Sequence, residues 1–176
     1  MWNYELAFSQ RLINGQLTYG VNVFYIDGKN LIQTLPNPNG SGMLNQNSGH
    51  IENAGVELQA AYRINRCWSV DGNYSYLHMK NPVIAAPEHK LYAGMNFSQG
   101  RWNVSTSLQY IAGLYTQVDP DVTENFVLWN LRAAFHANRW LDVWARGENL
   151  LAQKYEINAG YPMPRATVTA GVNINF

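Results

Sequence analysis

Four histidines, one cysteine and a scatter of carboxylates are the side chains of this chain that could bind a metal or move a proton. His50, His78, His89 and His136 share no metal-ligand spacing, such as two histidines one helical turn apart. Asp119, Asp121 and Glu124 lie close together and have the oxygen chemistry a hard cation needs. However, Asp119-Pro120-Asp121 lacks the glycine and the ligand count of an EF-hand loop, so an ordinary polar loop is expected there. Asp71, Ser75 and His78 are the residue types of a nucleophilic triad. On a strand, Asp71 and Ser75 share a face that His78 does not, so no triad is expected. Cys67 is the only cysteine, which excludes an internal disulfide, and it has no evident histidine partner. The expectation is a protein with no catalytic residues, no metal set and no cofactor.

The charge pattern is equally plain. Twelve basic and twelve acidic residues cancel and are spread singly, which gives no basic surface for nucleic acid. Charged residues make up 14% of the chain, against roughly 25% in soluble domains. Aromatics reach 13%, with eleven Tyr and six Trp, residues whose apolar bodies and polar tips suit an interface between hydrocarbon and water.

What positions these residues is a repeated period of two. In the last eleven residues, Ala166, Val168, Ala170, Val172, Ile174 and Phe176 fall on one face of a strand, and Thr167, Thr169, Gly171, Asn173 and Asn175 on the other. The same alternation recurs through Trp2-Tyr4-Leu6-Phe8, Leu17-Tyr19-Val21-Val23-Tyr25, Ala54-Val56-Leu58-Ala60-Tyr62, Trp68-Val70-Gly72-Tyr74-Tyr76 and Leu91-Ala93-Met95-Phe97. It continues through Trp102-Val104-Thr106-Leu108-Tyr110, Val127-Trp129-Leu131-Ala133-Phe135 and Leu141-Val143-Ala145. This predicts an all-β, antiparallel up-and-down meander of about nine strands. Asn14-Gly15 predicts a tight turn between the first two. Residues 27–50, 81–89, 117–124 and 158–164 are predicted as loops, with strand persisting into 31–33. Short turns then alternate with longer loops, the habit of transmembrane barrels. No apolar run approaches the ~20 residues of a membrane helix. Glu57, Arg63, Asp71, Arg132, His136, Asp142, Arg146 and Glu148 sit mid-strand on the polar side and need water or partners there. Tyr19, Tyr25, Trp68, Trp102, Tyr110, Trp129 and Phe176, near strand ends on the apolar face, are expected to form a membrane girdle; in a sandwich they would be core.

Several segments resemble TonB-dependent outer-membrane receptors. They are Asn3-Tyr4-Glu5-Leu6, Val23-Phe24-Tyr25-Ile26-Asp27 with Lys29-Asn30-Leu31-Ile32-Gln33, and Asn53-Ala54-Gly55-Val56-Glu57-Leu58. Near the end come Glu148-Asn149-Leu150-Leu151 with Tyr155, Gly160-Tyr161-Pro162-Met163-Pro164-Arg165, and the terminal Phe176. The order and spacing of these segments cover essentially the whole chain. The resemblance implies that residues 1–176 are the C-terminal portion of a receptor barrel that has 22 strands in the parent family, with plug domain and earlier strands absent. The start at Met1 shows no basic and apolar export leader, so under this reading the chain is expected to be a piece of a longer protein. The resemblance also implies a location in the outer membrane of a Gram-negative bacterium and uptake of a scarce metal complex such as a siderophore, haem or cobalamin. It implies contact with outer-membrane lipid, recognition of Phe176 by the barrel-insertion machinery, and coupling to TonB only through the N-terminal part. Ligand contact would fall on outside loops, with His50, His89, Tyr115, Asp119, Asp121 and Tyr161 as candidates. A small autonomous outer-membrane barrel and a soluble β-sandwich binding module are the competing readings.

Overall fold

The computed structural model describes residues 1–36 and 40–174. One antiparallel sheet of nine strands dominates, and each strand pairs with the next along the chain. Its strands are β1 (Trp2–Leu12), β2 (Leu17–Pro36), β3 (Met43–Arg63), β4 (Trp68–Met79), β5 (Pro87–Gln99), β6 (Trp102–Val118), β7 (Asp121–Asn138) and β8 (Leu141–Glu148), then, after a two-stranded excursion, β11 (Thr167–Ile174). The excursion is a small hairpin of β9 (Glu156–Asn158) and β10 (Tyr161–Pro162). No α-helix occurs among the described residues.

The first turn shows why the chain reverses where it does. Ile13, Asn14 and Gly15 all have positive φ, and the Gln16 amide donates to the Ile13 carbonyl at 3.0 Å. Asn and Gly accept this left-handed backbone at small cost, and Ile13 is carried along with them.

Register turns the alternation into two faces. Tyr4 opposes Tyr25, Leu6 opposes Val23 and Phe8 opposes Val21. The same face continues through Val23–Val56, Val56–Tyr76, Leu91–Tyr110, Leu108–Trp129, Phe135–Val143 and Val143–Val172 pairs. The other face carries Asn22 opposite Glu57, Glu57 opposite Ser75 and Ser105 opposite Arg132.

Among the described residues nothing packs over the apolar face. Trp102 is 52% exposed, Leu108 49% and Val168 76%, and no large side chain among the described residues is fully buried. A soluble protein does not leave a contiguous face of this size wet. A sandwich would cover it with a second sheet; the second sheet among the described residues, the β9–β10 hairpin, packs on the opposite face, which argues against the sandwich reading. The few buried apolar residues, Ile111, Leu114 and Phe126, lie together at one end of β6 and β7, under the segment that contains the small hairpin.

The loops are shorter than the sequence predicts. Residues 27–50 are mostly strand: β2 runs to Pro36 and β3 begins at Met43. Residues 117–124 shrink to Asp119 and Pro120, and β5 begins at Pro87, inside the predicted 81–89 loop. The last connection is longer than expected, 149–166 rather than 158–164. Strands of 20 and 21 residues far exceed the roughly 9–11 needed to cross a bilayer. The surplus lies at the long-loop end, beyond the apolar band, where the alternation of apolar and polar residues lapses.

Candidate functional site

The polar face is concave. A hollow of about 600 Å³ spans β1 to β5, lined among others by Glu5, Asn22, Glu57, Gln59, Asn73 and Lys90. The Asn22 side-chain amide donates to Glu57 at 3.3 Å, and Lys90 forms no ion pair among the described residues. These are side chains for a wet interior; in a dry core such charges would each need a partner.

At the long-loop end, residues 149–166 fold back over this interior. Tyr155 packs on Phe126 with ring centroids 4.1 Å apart, and Ile157 joins the Ile111–Leu114–Phe126 cluster. Burial raises the Tyr155 phenol pKa. The anchor of the strap is Asn149, 4% exposed. Its amide nitrogen donates to the Gln153 and Pro164 carbonyls at 2.9 and 3.1 Å, and its side-chain oxygen accepts from the Gln153 amide at 3.0 Å. Its backbone N–H donates to Asn130 Oδ1 at 3.0 Å. One side chain thus ties both ends of the strap together. An adjoining cavity of about 350 Å³ is lined by Glu124, Lys154, Tyr155, Glu156, Met163 and Arg165.

The ligand candidates are placed differently from the loops the sequence predicts. His50 lies in β3, where Nε2 sits 3.0 Å from Asp27 Oδ1. Beside it Lys80 pairs with Glu52 at 2.5 Å, and this hydrogen bond holds the Glu52 carboxyl below its ordinary pKa. Register puts Asp27, Glu52 and Lys80 on the outward continuation of the apolar face, just beyond Tyr25. His89 is a strand residue of β5 on the apolar face: it opposes Tyr76, its Nδ1 lies 2.8 Å from the Tyr74 hydroxyl, and both tyrosines flank its ring. His89 therefore leaves the loop set. Tyr115 is in β6, and its hydroxyl donates to Glu88 at 3.4 Å. Burial first, then the Glu88 and Asp121 carboxylates, raise its pKa. Asp119 is in the two-residue turn, Asp121 opens β7 and Tyr161 opens β10. No group of three or more His, Cys, Asp or Glu side chains gathers around a cation position among the described residues. His78 opposes Ala54 on the apolar face, away from Asp71 and Ser75, so the triad types are not assembled. What sequence reasoning missed was Asn149 as the anchor of the strap and the pairing of Glu52 with Lys80. Both depend on residues brought together by register and by the strap's return.

Six of the expected girdle residues share the apolar face and fall into two belts. Tyr19, Trp68 and Trp102 stand at the short-turn end; Tyr25, Tyr110 and Trp129 stand toward the other. Phe176 lies outside the described residues. From Trp102 to Tyr110 is eight steps along β6, or about 26 Å, and roughly 20 Å at the ~40° tilt of barrel strands. That is close to the apolar band of about 25 Å that outer-membrane barrels present to lipid.

An uncovered apolar face between two aromatic belts, backed by a charged concave face, defines a stretch of transmembrane β-barrel wall. The chain belongs to the TonB dependent receptor-like β-barrel family, whose model matches residues 1–173. Members of this family are receptors, not enzymes. The fold is similar to that of solved receptors: the ferric yersiniabactin uptake receptor FyuA from Yersinia pestis (TM-score 0.79, 19% identity, 99% of this chain and 29% of that one). It is likewise similar to the siderophore receptor PiuA from Acinetobacter baumannii (TM-score 0.78, 17% identity, 98% and 28%) and the FrpB iron transporter from Neisseria meningitidis (TM-score 0.78, 18% identity, 99% and 31%). The chain thus spans about three tenths of the length of the receptors it matches. No curated protein matches it.

Proposed function

We propose that residues 1–176 form the C-terminal part of an outer-membrane receptor barrel in a Gram-negative bacterium, and that the whole receptor takes up a scarce metal complex, a siderophore complex before haem or cobalamin. The observation that carries this is the coincidence of an apolar band sized for the outer membrane with a polar concave wall and a strapped, aromatic rim at the long-loop end. Siderophore and iron receptors among the similar structures support the choice of cargo. TonB would act through segments outside this sequence, and the insertion machinery through Phe176. His50, Tyr115, Asp119, Asp121 and Tyr161 are the rim residues proposed to meet the ligand.

The test is saturable quenching of tryptophan fluorescence by ferric catecholate, ferric hydroxamate, haem and cobalamin, with the chain folded in detergent micelles. Saturable quenching by one ferric siderophore, weakened in the double variant Tyr115→Ala, Tyr161→Ala, is expected. Absence of saturable quenching by all four would overturn the reading.

A further inference from the structure

The four short turns of the sheet share a composition that ligand contact at the rim does not explain. Arg11 lies one residue from the end of β1, Arg63 and Arg66 flank and enter the β3–β4 turn, Arg101 sits in the β5–β6 turn and Arg139 in the β7–β8 turn. All five are exposed, and none pairs with a carboxylate among the described residues. Residues 13–16, 64–67, 100–101 and 139–140 hold no Asp or Glu, and the four lysines, Lys29, Lys80, Lys90 and Lys154, lie toward the long-loop end. The nearest acidic side chains, Asp71 and Asp142, belong to the concave face and are engaged with Asn96 at 3.5 Å and His136 at 2.7 Å.

Three of these turns repeat one arrangement. Asn65-Arg66-Cys67-Trp68, Gly100-Arg101-Trp102 and Asn138-Arg139-Trp140 each carry an arginine followed one or two residues later by a tryptophan. Local hydrogen bonds fix it: Asn65 Oδ1 accepts from the Cys67 and Trp68 amides at 2.8 and 2.9 Å, and Asn138 Oδ1 from the Trp140 amide at 2.8 Å. In the middle turn Gly100 supplies the positive φ. Trp68 and Trp102 stand in the short-turn belt of the apolar face, and the Arg139 guanidinium lies 4.4 Å from the Trp140 ring centroid. Successive short turns are two strands, about 10 Å, apart, so the arginines form a row along the edge of the apolar band.

Tryptophan settles where acyl chains give way to headgroups, and a long cationic side chain beside it reaches the phosphate layer. A guanidinium offers parallel N–H groups that match phosphate oxygens. We infer that the turns carrying Arg66–Trp68, Arg101–Trp102 and Arg139–Trp140 bind phosphodiester headgroups of anionic phospholipid in the leaflet on the short-turn side, with Arg11 and Arg63 adding to the positive field. An acidic protein docked end-on would gain nothing from tryptophans set on the apolar face beside Arg66 and Arg101; a lipid uses both. The inference rests on the barrel-wall reading of that face.

The experiment uses two variants in vesicles that mix phosphatidylcholine with phosphatidylglycerol, with bromine on the acyl chains of one lipid or of the other. One variant keeps Trp68, Trp102 and Trp140, the second keeps Trp129 alone, and the remaining tryptophans are replaced by Phe. At low salt, quenching of the turn tryptophans reports about fivefold enrichment of phosphatidylglycerol, the size expected for one arginine at an anionic surface, and high salt reduces it. Trp129 reports none. Adding Arg66→Gln, Arg101→Gln and Arg139→Gln to the first variant removes the enrichment. Enrichment that survives this change, or that Trp129 matches, overturns the proposal. If the triple glutamine variant lacks β-type circular dichroism, Arg101→Gln alone decides, and unchanged enrichment overturns it. Loss of enrichment in inorganic phosphate, but not in sodium chloride of equal ionic strength, would assign the row to a free anion and overturn the lipid assignment. Quenching by neither lipid would sink the barrel-wall reading together with this one, whereas quenching by both lipids without preference sinks this one alone.

Discussion

Asn149 concentrates more structure than any other single side chain here. It is buried, adopts positive φ, and closes the strap with three side-chain hydrogen bonds. Asn149→Ala should weaken the fold by about 1–3 kcal/mol, the cost of orphaning buried backbone groups. Faster amide hydrogen exchange across 150–166, with β6 and β7 still protected, is the expected signature; unchanged exchange there would contradict it. At the rim, Glu52 has its pKa depressed by Lys80. A depressed carboxyl contributes stability above its unfolded pKa of about 4.3 and loses it as pH falls through the lower folded value. Protection of residues 80–86 should therefore drop on acidification below that range in the parent, and show a flatter pH response in Lys80→Met. Neither the Asn149 anchor nor the Glu52–Lys80 pair was legible in the sequence, because each joins residues whose meeting depends on where strands and the strap return. Arg132 and Arg146 were both legible as polar-face residues. Their opposition was not, because the register of β7 on β8 slips between His136 and Asn138.

At the scale of the strand, the period of two was legible wherever one face is apolar, and within the described residues each such run became a strand with the expected faces. It failed at 27–36 and 43–50, where Asn, Gly and polar residues dominate both faces and the backbone ladder alone extends the hairpin. The same loss of contrast hid the start of β5 and with it the position of His89. The two faces should answer substitution differently. Leu131→Lys places a charge mid-band on the apolar face, opposite Thr106, and should cost about 2–4 kcal/mol in urea unfolding from lipid vesicles. Ser107→Lys, its neighbour on the concave face, should change stability little. Equal costs would mean that both faces see the same medium. Glycine matters on the concave face at Gly171, where an added methyl would come within 2.7 Å of the Trp144 ring. Gly171→Ala should therefore destabilise by about 1–3 kcal/mol through displacement of Trp144, read in the same unfolding assay.

For the molecule as a whole, nine strands in chain order form a single layer whose apolar side has no protein partner among the described residues. The account therefore requires the chain to need detergent or lipid, and light scattering in plain buffer should show association that detergent abolishes. The most direct test asks what the apolar face touches. Two variants each keep one of the six tryptophans, Trp129 on the apolar face or Trp144 on the concave face, with the others replaced by Phe, and each is inserted into vesicles with brominated acyl chains. Strong bromine quenching of Trp129 with little quenching of Trp144 is the predicted result. Quenching of Trp144 with Trp129 shielded, or a chain that stays monomeric in buffer and never enters the vesicles, would contradict the barrel-wall account.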